Sequence, residues 1–192
     1  LGAQAVSAVP YVPPVSPGSA ECLVLATADR RQNAAHGPVS RYPLQVMGQQ
    51  ILVETPLVGR HQLRNVALAI ATAEVLSHQG LPITPQTIEQ GIRQTHWPGR
   101  FQVVPADGGW PEYVFDVAHN PAGAWALRSA LSTCYEDRPI TFVFGAMRDK
   151  AIGEMAEILF PLAERVIATR ADNPRSATPD EIREAAARTA TD

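Results

Sequence analysis

A chain of 192 residues that is 45% hydrophobic, with a formal net charge of −3, can bury a core, which excludes wholesale disorder. The near-balanced charge carries no basic cluster, which argues against nucleic acid as a partner, and no apolar run approaches the roughly 20 residues of a membrane helix. Residues 1–10 lack a secretory pattern, and Cys22 and Cys134 fit no disulfide or CxxC spacing, so a reducing, cytoplasmic setting is expected.

In chain order, residues 1–58 read as short strands and loops. Ala5–Val9 and Leu23–Thr27 have strand length, and Pro10, Pro13, Pro14, Pro17 and Gly18 between them oppose regular structure. Tyr42–Val46 and Gln50–Glu54 flank Met47-Gly48-Gln49 and predict a β-hairpin that ends at Pro56. From Gly59 the period becomes helical: Leu63, Val66, Ala67, Ile70 and Ala73 share a face up to about Leu76, and Gly80 supplies the stop. Thr84-Pro85 opens a second helix, with Ile88 and Ile92 on its buried face. Trp97-Pro98-Gly99 then marks an expected domain boundary, giving domains of 1–97 and 98–192.

Beyond Arg100, strand and helix alternate. Phe101–Val104 and Tyr113–Val117 predict strands around a Gly108-Gly109 turn, and Asn120-Pro121 opens a helix through Trp125, Leu127 and Leu131. Ile140–Phe144 reads as a strand buried on both faces. A helix with Ile152, Met155, Leu159 and Leu162 on one side follows, then a strand at Val166–Ala168. Thr178-Pro179-Asp180-Glu181 is a capping box that starts a last helix. This order predicts an α/β fold with a Rossmann-like, mostly parallel sheet, preceded by short strands and two helices.

Ligands of open parallel sheets bind beyond the carboxyl ends of the strands. Three polar segments are expected there: Asp116–Pro121, Gly145–Lys150 and Arg170–Arg175. Each also has a bland reading. Asn120 and Asp149 suit helix caps, His119 an ordinary loop, Arg148 and Lys150 a solvated surface, and Asp172-Asn173-Pro174 a turn. No GxxxxGK[ST], GxGxxG or HExxH pattern and no metal-type Cys/His spacing is present. A nucleotide site here would therefore be partial.

Five motifs occur in order: Gly59-Arg60-His61-Gln62-Leu63-Arg64-Asn65, Trp97-Pro98-Gly99-Arg100-Phe101, Asp116-Val117-Ala118-His119-Asn120-Pro121, Phe144-Gly145-Ala146-Met147-Arg148-Asp149-Lys150 and Pro174-Arg175-Ser176-Ala177. Over residues 57–182 the series resembles the bifunctional folylpolyglutamate synthase/dihydrofolate synthase family of the Mur ligase superfamily. The resemblance implies an ATP-dependent ligase that activates a folate or dihydropteroate carboxylate as an acyl phosphate, which the amino group of L-glutamate then attacks. It implies ATP and Mg2+ as cofactors, small-molecule partners only, and a monomer. The active site is expected in a cleft between an ATPase domain and a Rossmann-like domain.

Carried over by motif, His61, Gln62 and Asn65 meet the adenine, Arg100 the ATP phosphates, and Asp116 the nucleotide at its ribose hydroxyls. His119 and Asn120 face glutamate or the transferred group. Arg100, His119 and Lys150 are the catalytic candidates, and the role of Asp149 with Lys150 stays open between a salt bridge and a ligand contact. Asp172-Asn173-Pro174-Arg175 is also the DNPR signature of muramyl-peptide ligases, in which the arginine holds an amino-acid carboxylate. That reading makes Arg175 a glutamate-binding candidate and the muramyl ligases the alternative family. A non-catalytic nucleotide-binding module is a second alternative. The phosphate loop, the magnesium ligands and the family's modified lysine are expected upstream, and its last strand and helix downstream. The chain, which begins with Leu1, is thus expected to be cut at both ends. Arginine outnumbers lysine fifteen to one, a bias of the kind a GC-rich genome produces, and the single lysine, Lys150, falls within a motif.

Overall fold

A computed structural model describes residues 5–13, 22–23 and 38–189. The chain divides into two compact units, Leu1–Asp116 and Val117–Asp192.

The first unit is built on an antiparallel sheet in the order β1-β2-β3, with β1 at Cys22–Leu23, β2 at Val39–Val46 and β3 at Gln49–Thr55. Val46 pairs with Gln49, so the hairpin turn is the two residues Met47-Gly48. Both have positive φ (49° and 74°), the twist that a tight hairpin needs. Among the described residues β1 pairs with Val39 and Ser40, and none pairs with Pro43 on that side of β2, where a proline without an N–H is tolerated.

Helix α1 (Arg60–His78) buries Leu63, Val66, Ala67 and Ile70, as the period predicts. No side chain caps its N-terminus, so its stability rests on that face, at about 1.5–3 kcal/mol for each large side chain buried. Helix α2 (Pro85–Arg93) starts as expected, with the Thr84 side chain accepting from the Thr87 amide and Pro85 in the first turn. Leu63, Val66 and Ile70 of α1 and Ile88 and Ile92 of α2 close over Tyr42, Val46, Ile51 and Val53 of the hairpin.

The strand expected at Ala5–Val9 does not form. Residues 5–8 carry no regular element, and Val9–Tyr11 is a single 3-10 turn. Pro10 cannot donate to a ladder, and Val6 and Val9 stay exposed, so no burial offsets that loss. Residues 24–27 of the second expected strand lie outside the described residues.

The Tyr42 hydroxyl is buried with no hydrogen-bond partner among the described residues, and burial pushes its pKa up to about 12. An unpaired buried hydroxyl costs about 1–3 kcal/mol. Tyr42→Phe is therefore expected to stabilise the full-length protein by about 1 kcal/mol at neutral pH, read by denaturant titration. The folded pKa lies above the unfolded value of about 10. The contribution of the neutral phenol is thus fully present below about pH 10 and is lost as pH rises towards 12. The variant should lack that component of alkaline destabilisation, and an unchanged alkaline profile would refute it.

Strands β4 (Gln102–Val104) and β5 (Tyr113–Phe115) form their own antiparallel ribbon, with Gln102 opposite Phe115. In the second unit, helix α3 (Pro121–Cys134) precedes β6 (Thr141–Phe144), helix α4 (Ile152–Leu159), β7 (Arg165–Ala168) and helix α5 (Pro179–Thr189). Strands β6 and β7 pair in parallel across α4, the arrangement the α/β reading predicts. Ala124 of α3, Ile152, Met155 and Leu159 of α4, and Ile182 of α5 all gather with Phe144. The expectation that β6 is buried on both faces fails. Phe142 and Phe144 face the cluster, while Val143 on the opposite face is 68% exposed. The helices of this unit contribute to one cluster, and so cover one side of the β6–β7 ribbon. Leu162, expected to extend the apolar side of α4, lies in a 3-10 turn after it.

Candidate functional site

Two groups of predicted residues are held in place, one in each unit. In the first, His61, Gln62 and Asn65 lie on the opening turns of α1. Gly59 precedes them with φ 98° and ψ 147°, a conformation open essentially to glycine alone. The His61 ring folds back against it, and a Cβ at Gly59 would sit 3.2 Å from two ring atoms. Gln62 is buried, and its Oε1 accepts from Asn65 Nδ2 at 3.0 Å, which couples the two amides.

After Trp97-Pro98 the chain turns sharply. The Gly99 amide donates to Gln102 Oε1 at 3.0 Å, and Phe101, buried at 5% exposure, takes a positive φ of 49°. The Phe101 amide donates to Asp116 Oδ2 at 2.9 Å. That bond ties the arginine-bearing segment to the residue that follows β5. His61 feels both ends of this arrangement. Partial burial pushes its pKa down, the Asp116 carboxylate opposes that shift, and the Arg100 guanidinium adds to it. The balance favours a neutral imidazole at pH 7. The structure thus brings His61, Arg100 and Asp116 within electrostatic reach of one another and sets Gln62 beside Asn65.

In the second unit, Asn120 caps α3 by accepting from the Gly123 amide at 2.8 Å, so the capping reading of Asn120 is realised. His119 Nδ1 lies 3.1 Å from the Val117 carbonyl. The loops after β6 and β7 leave one edge, as parallel pairing requires, and are sewn together. The Ala177 amide donates to the Ala146 carbonyl, and Met147 bridges Ser176. Arg175 Nη2 donates to Asp149 Oδ1 at 3.0 Å, and Lys150 Nζ is 3.4 Å from Asp149 Oδ2. The hydrogen bond from Arg175 leads the causes that hold the Asp149 pKa below its ordinary value.

Asp149 is therefore not the cap of α4. That position belongs to Ala151, with no side-chain bond. Arg148 stays at the surface, with its side chain 46% exposed, but it is not free. Its guanidinium holds Glu181 and the Pro174 carbonyl. Asp172-Asn173-Pro174 does form a turn, with the Arg175 amide donating to Asn173 Oδ1.

Sequence reasoning missed three participants. Phe101 was within reach, since it follows Arg100 inside a motif. Arg148 and Glu181 meet across 33 positions, and no local pattern announces that pairing. Among the described residues, no group of three or more His, Cys, Asp or Glu is placed to hold a metal ion. None of the described helices is long and apolar enough to cross a membrane.

Comparison with known proteins follows the same motifs. Residues 99–192 match the family described as "Mur ligase, glutamate ligase domain". Folylpolyglutamate synthase of Lacticaseibacillus casei is 43% identical over 108 residues, which covers 56% of this chain and 24% of that protein. The structure of Mycobacterium tuberculosis folylpolyglutamate synthase complexed with ADP superposes with a TM-score of 0.65 at 27% identity, over 81% of this chain and 33% of that one. A UDP-N-acetylmuramoyl-L-alanyl-D-glutamate--2,6-diaminopimelate ligase of Parasynechococcus marenigrum is 36% identical over 137 residues, 67% of this chain and 26% of that protein. The chain thus spans a third or less of the length of these relatives. The resemblance carried by the five motifs holds at the level of whole-segment similarity. Motif order, local geometry and these likenesses agree, and residues 99–192 are similar to the glutamate ligase domain of the Mur ligase family.

Proposed function

We propose that the full-length protein containing this chain is an ATP-dependent ligase that joins L-glutamate to folate or dihydropteroate. On this reading residues 1–97 are the end of the ATPase domain and residues 98–192 most of the glutamate ligase domain. The observation that carries it is the bond from the Phe101 amide to Asp116, with Arg100 and Asp116 both acting electrostatically on His61. The likeness to an ADP-bound folylpolyglutamate synthase adds support.

The residues divide the work by their chemistry. The planar guanidinium of Arg100 offers forked donors to phosphate oxygens. Asp116 accepts from ribose hydroxyls. The Gln62–Asn65 pair uses one carbonyl and one amide internally. That leaves a donor on Gln62 and an acceptor on Asn65, the complement of an adenine edge. Neutral His61 can serve either way. A substrate carboxylate attacks the γ-phosphorus of ATP and ADP departs, giving an acyl phosphate. The glutamate amine then attacks the carbonyl carbon, loses a proton and expels phosphate. With its Nδ1 proton donated to the Val117 carbonyl, His119 presents the Nε2 lone pair as acceptor for that proton. Asn120 combines its capping bond with a place beside the transferred group, Arg175 takes a glutamate carboxylate, and Lys150 adds positive charge at the same loop edge. Magnesium ligands are assigned to the part of the protein outside this chain. The proposed setting is cytoplasmic, and the proposed state a monomer.

The Asp172-Asn173-Pro174-Arg175 turn and the muramyl-ligase relative favour a second reading, ligation of a muramyl peptide. One experiment separates them. Phosphate release from ATP by the full-length protein is measured with dihydropteroate, tetrahydrofolate or a muramyl-peptide precursor, each with its amino acid. Stimulation by a folate substrate is expected. Stimulation by the muramyl substrate alone overturns the folate reading, and no stimulation by any of the three leaves a nucleotide-binding module. The 192-residue chain alone is expected to release no phosphate. Steady release dependent on folate and glutamate would refute that.

A further inference from the structure

A solvated surface charge is one reading of Arg148 from the sequence, yet the residue is hydrogen-bonded both to Glu181 and to the loop after β7. Its Nε donates to both carboxylate oxygens of Glu181, at 3.0 and 3.1 Å. Its Nη1 donates to the Pro174 carbonyl at 2.7 Å, and its own amide donates to the Arg175 carbonyl at 2.9 Å. The Pro174 carbonyl belongs to the peptide that enters Arg175, and the Arg175 carbonyl to the peptide that leaves it. One residue therefore grips both peptides that bracket the Arg175 Cα, and so sets the direction in which that side chain leaves the loop.

Glu181 supplies the anchor. It is fixed at the start of α5 by the capping box, where its Oε2 accepts from the Thr178 amide at 2.7 Å and its own amide donates to Thr178 Oγ1 at 3.2 Å. The lowered pKa of Glu181, caused first by the Thr178 amide and next by Arg148, keeps that anchor charged at neutral pH.

We propose that Arg148 is a positioning residue for Arg175, holding the loop after β7 so that the Arg175 guanidinium is presented to a substrate carboxylate at the strand edge. This rests on the reading of Arg175 as the group that takes the amino-acid carboxylate. A purely structural role fits the geometry less well. The two loops are joined independently by the Ala177–Ala146 and Thr169–Phe144 backbone bonds. Moreover, the Arg148 and Glu181 side chains are each 46% exposed, where an ion pair adds little to stability. What the contacts do supply is direction, and a forked donor suits that task because it engages two acceptors at once.

The test uses steady-state kinetics of the full-length protein with the amino-acid substrate varied. Arg148→Ala is expected to raise the KM for the amino acid on the order of tenfold, through misplacement of the binding group, with the KM for ATP and the thermal midpoint close to wild type. Arg148→Lys keeps the charge but cannot hold Glu181 and Pro174 together, and should recover only part of the loss. Glu181→Gln keeps an acceptor for the Thr178 amide but loses the charge, and should give a smaller rise. The deciding measurement is the double variant. If Arg148 acts through Arg175, Arg148→Ala combined with Arg175→Ala behaves as Arg175→Ala alone. Multiplying effects in the double variant, or an unchanged amino-acid KM in both Arg148 variants while Arg175→Ala raises it, overturns the positioning role and leaves the ligase reading intact. An unchanged amino-acid KM in Arg175→Ala removes Arg175 from the substrate site and overturns the positioning role with it.

Discussion

Arg100→Ala in the full-length protein is expected to lower kcat/KM for ATP by about 100-fold or more, close to 3 kcal/mol of lost stabilisation for phosphate charge. The size follows from where Arg100 sits. Phe101 is buried and pinned to Asp116, and Gly99 is pinned to Gln102, so the backbone that carries the half-buried Arg100 has little freedom. A fork rooted on a fixed backbone loses less entropy on meeting phosphate than one on a mobile loop. Arg100→Lys keeps the charge but not the planar fork and should fall between wild type and alanine. Single-turnover ATP consumption measures both variants, and wild-type kinetics in Arg100→Ala would remove this residue from the site.

Gly59→Ala is expected to raise the KM for ATP about tenfold and to destabilise the protein by about 1–3 kcal/mol. Two effects combine there. The backbone at φ 98° and ψ 147° strains any residue with a Cβ, and that Cβ would lie 3.2 Å from the Cε1 and Nδ1 atoms of His61. The ring would have to give way by a few tenths of an ångström, which shifts it relative to Asp116 and Arg100. Gly80→Ala isolates the first effect. Gly80 has a similar φ of 95°, but nothing lies within 4 Å of its would-be Cβ. It should lose stability while keeping the KM for ATP. Equal KM values in the two variants would sink the assignment of His61 to the nucleotide.

What was legible in the sequence was local. The hairpin around Met47-Gly48, the apolar stripe of α1, the Thr84-Pro85 start of α2, the Asn120 cap and the Thr178–Glu181 box all formed as their residues require. Each depends on neighbours within a turn or two of chain, which sequence spacing encodes directly. The five motifs were legible for a related reason. They fall in the segments that join strands and helices, where a short run of residues carries the turn and cap chemistry.

The misreadings share the opposite cause. Ala5–Val9 has the composition of a strand, but a strand needs a partner, and Pro10 removes a donor. Ile140–Phe144 has the composition of a doubly buried strand, yet burial is settled by what packs on each face, and the cluster of its own unit meets only Phe142 and Phe144. Asp149 sits where a cap would sit, but Arg175, 26 positions away, holds it instead.

The sequence by itself determined the elements, their order and the residue types gathered at each strand end, because period, cap and turn chemistry act over a few residues. Only the tertiary structure decided which of those residues touch. It bound Phe101 to Asp116, set Arg100 and His61 in each other's fields, and put Arg148 across the two peptides of Arg175. These pairs lie 15 to 39 residues apart, from Phe101 with Asp116 to His61 with Arg100. Chain folding, and not local propensity, sets such distances.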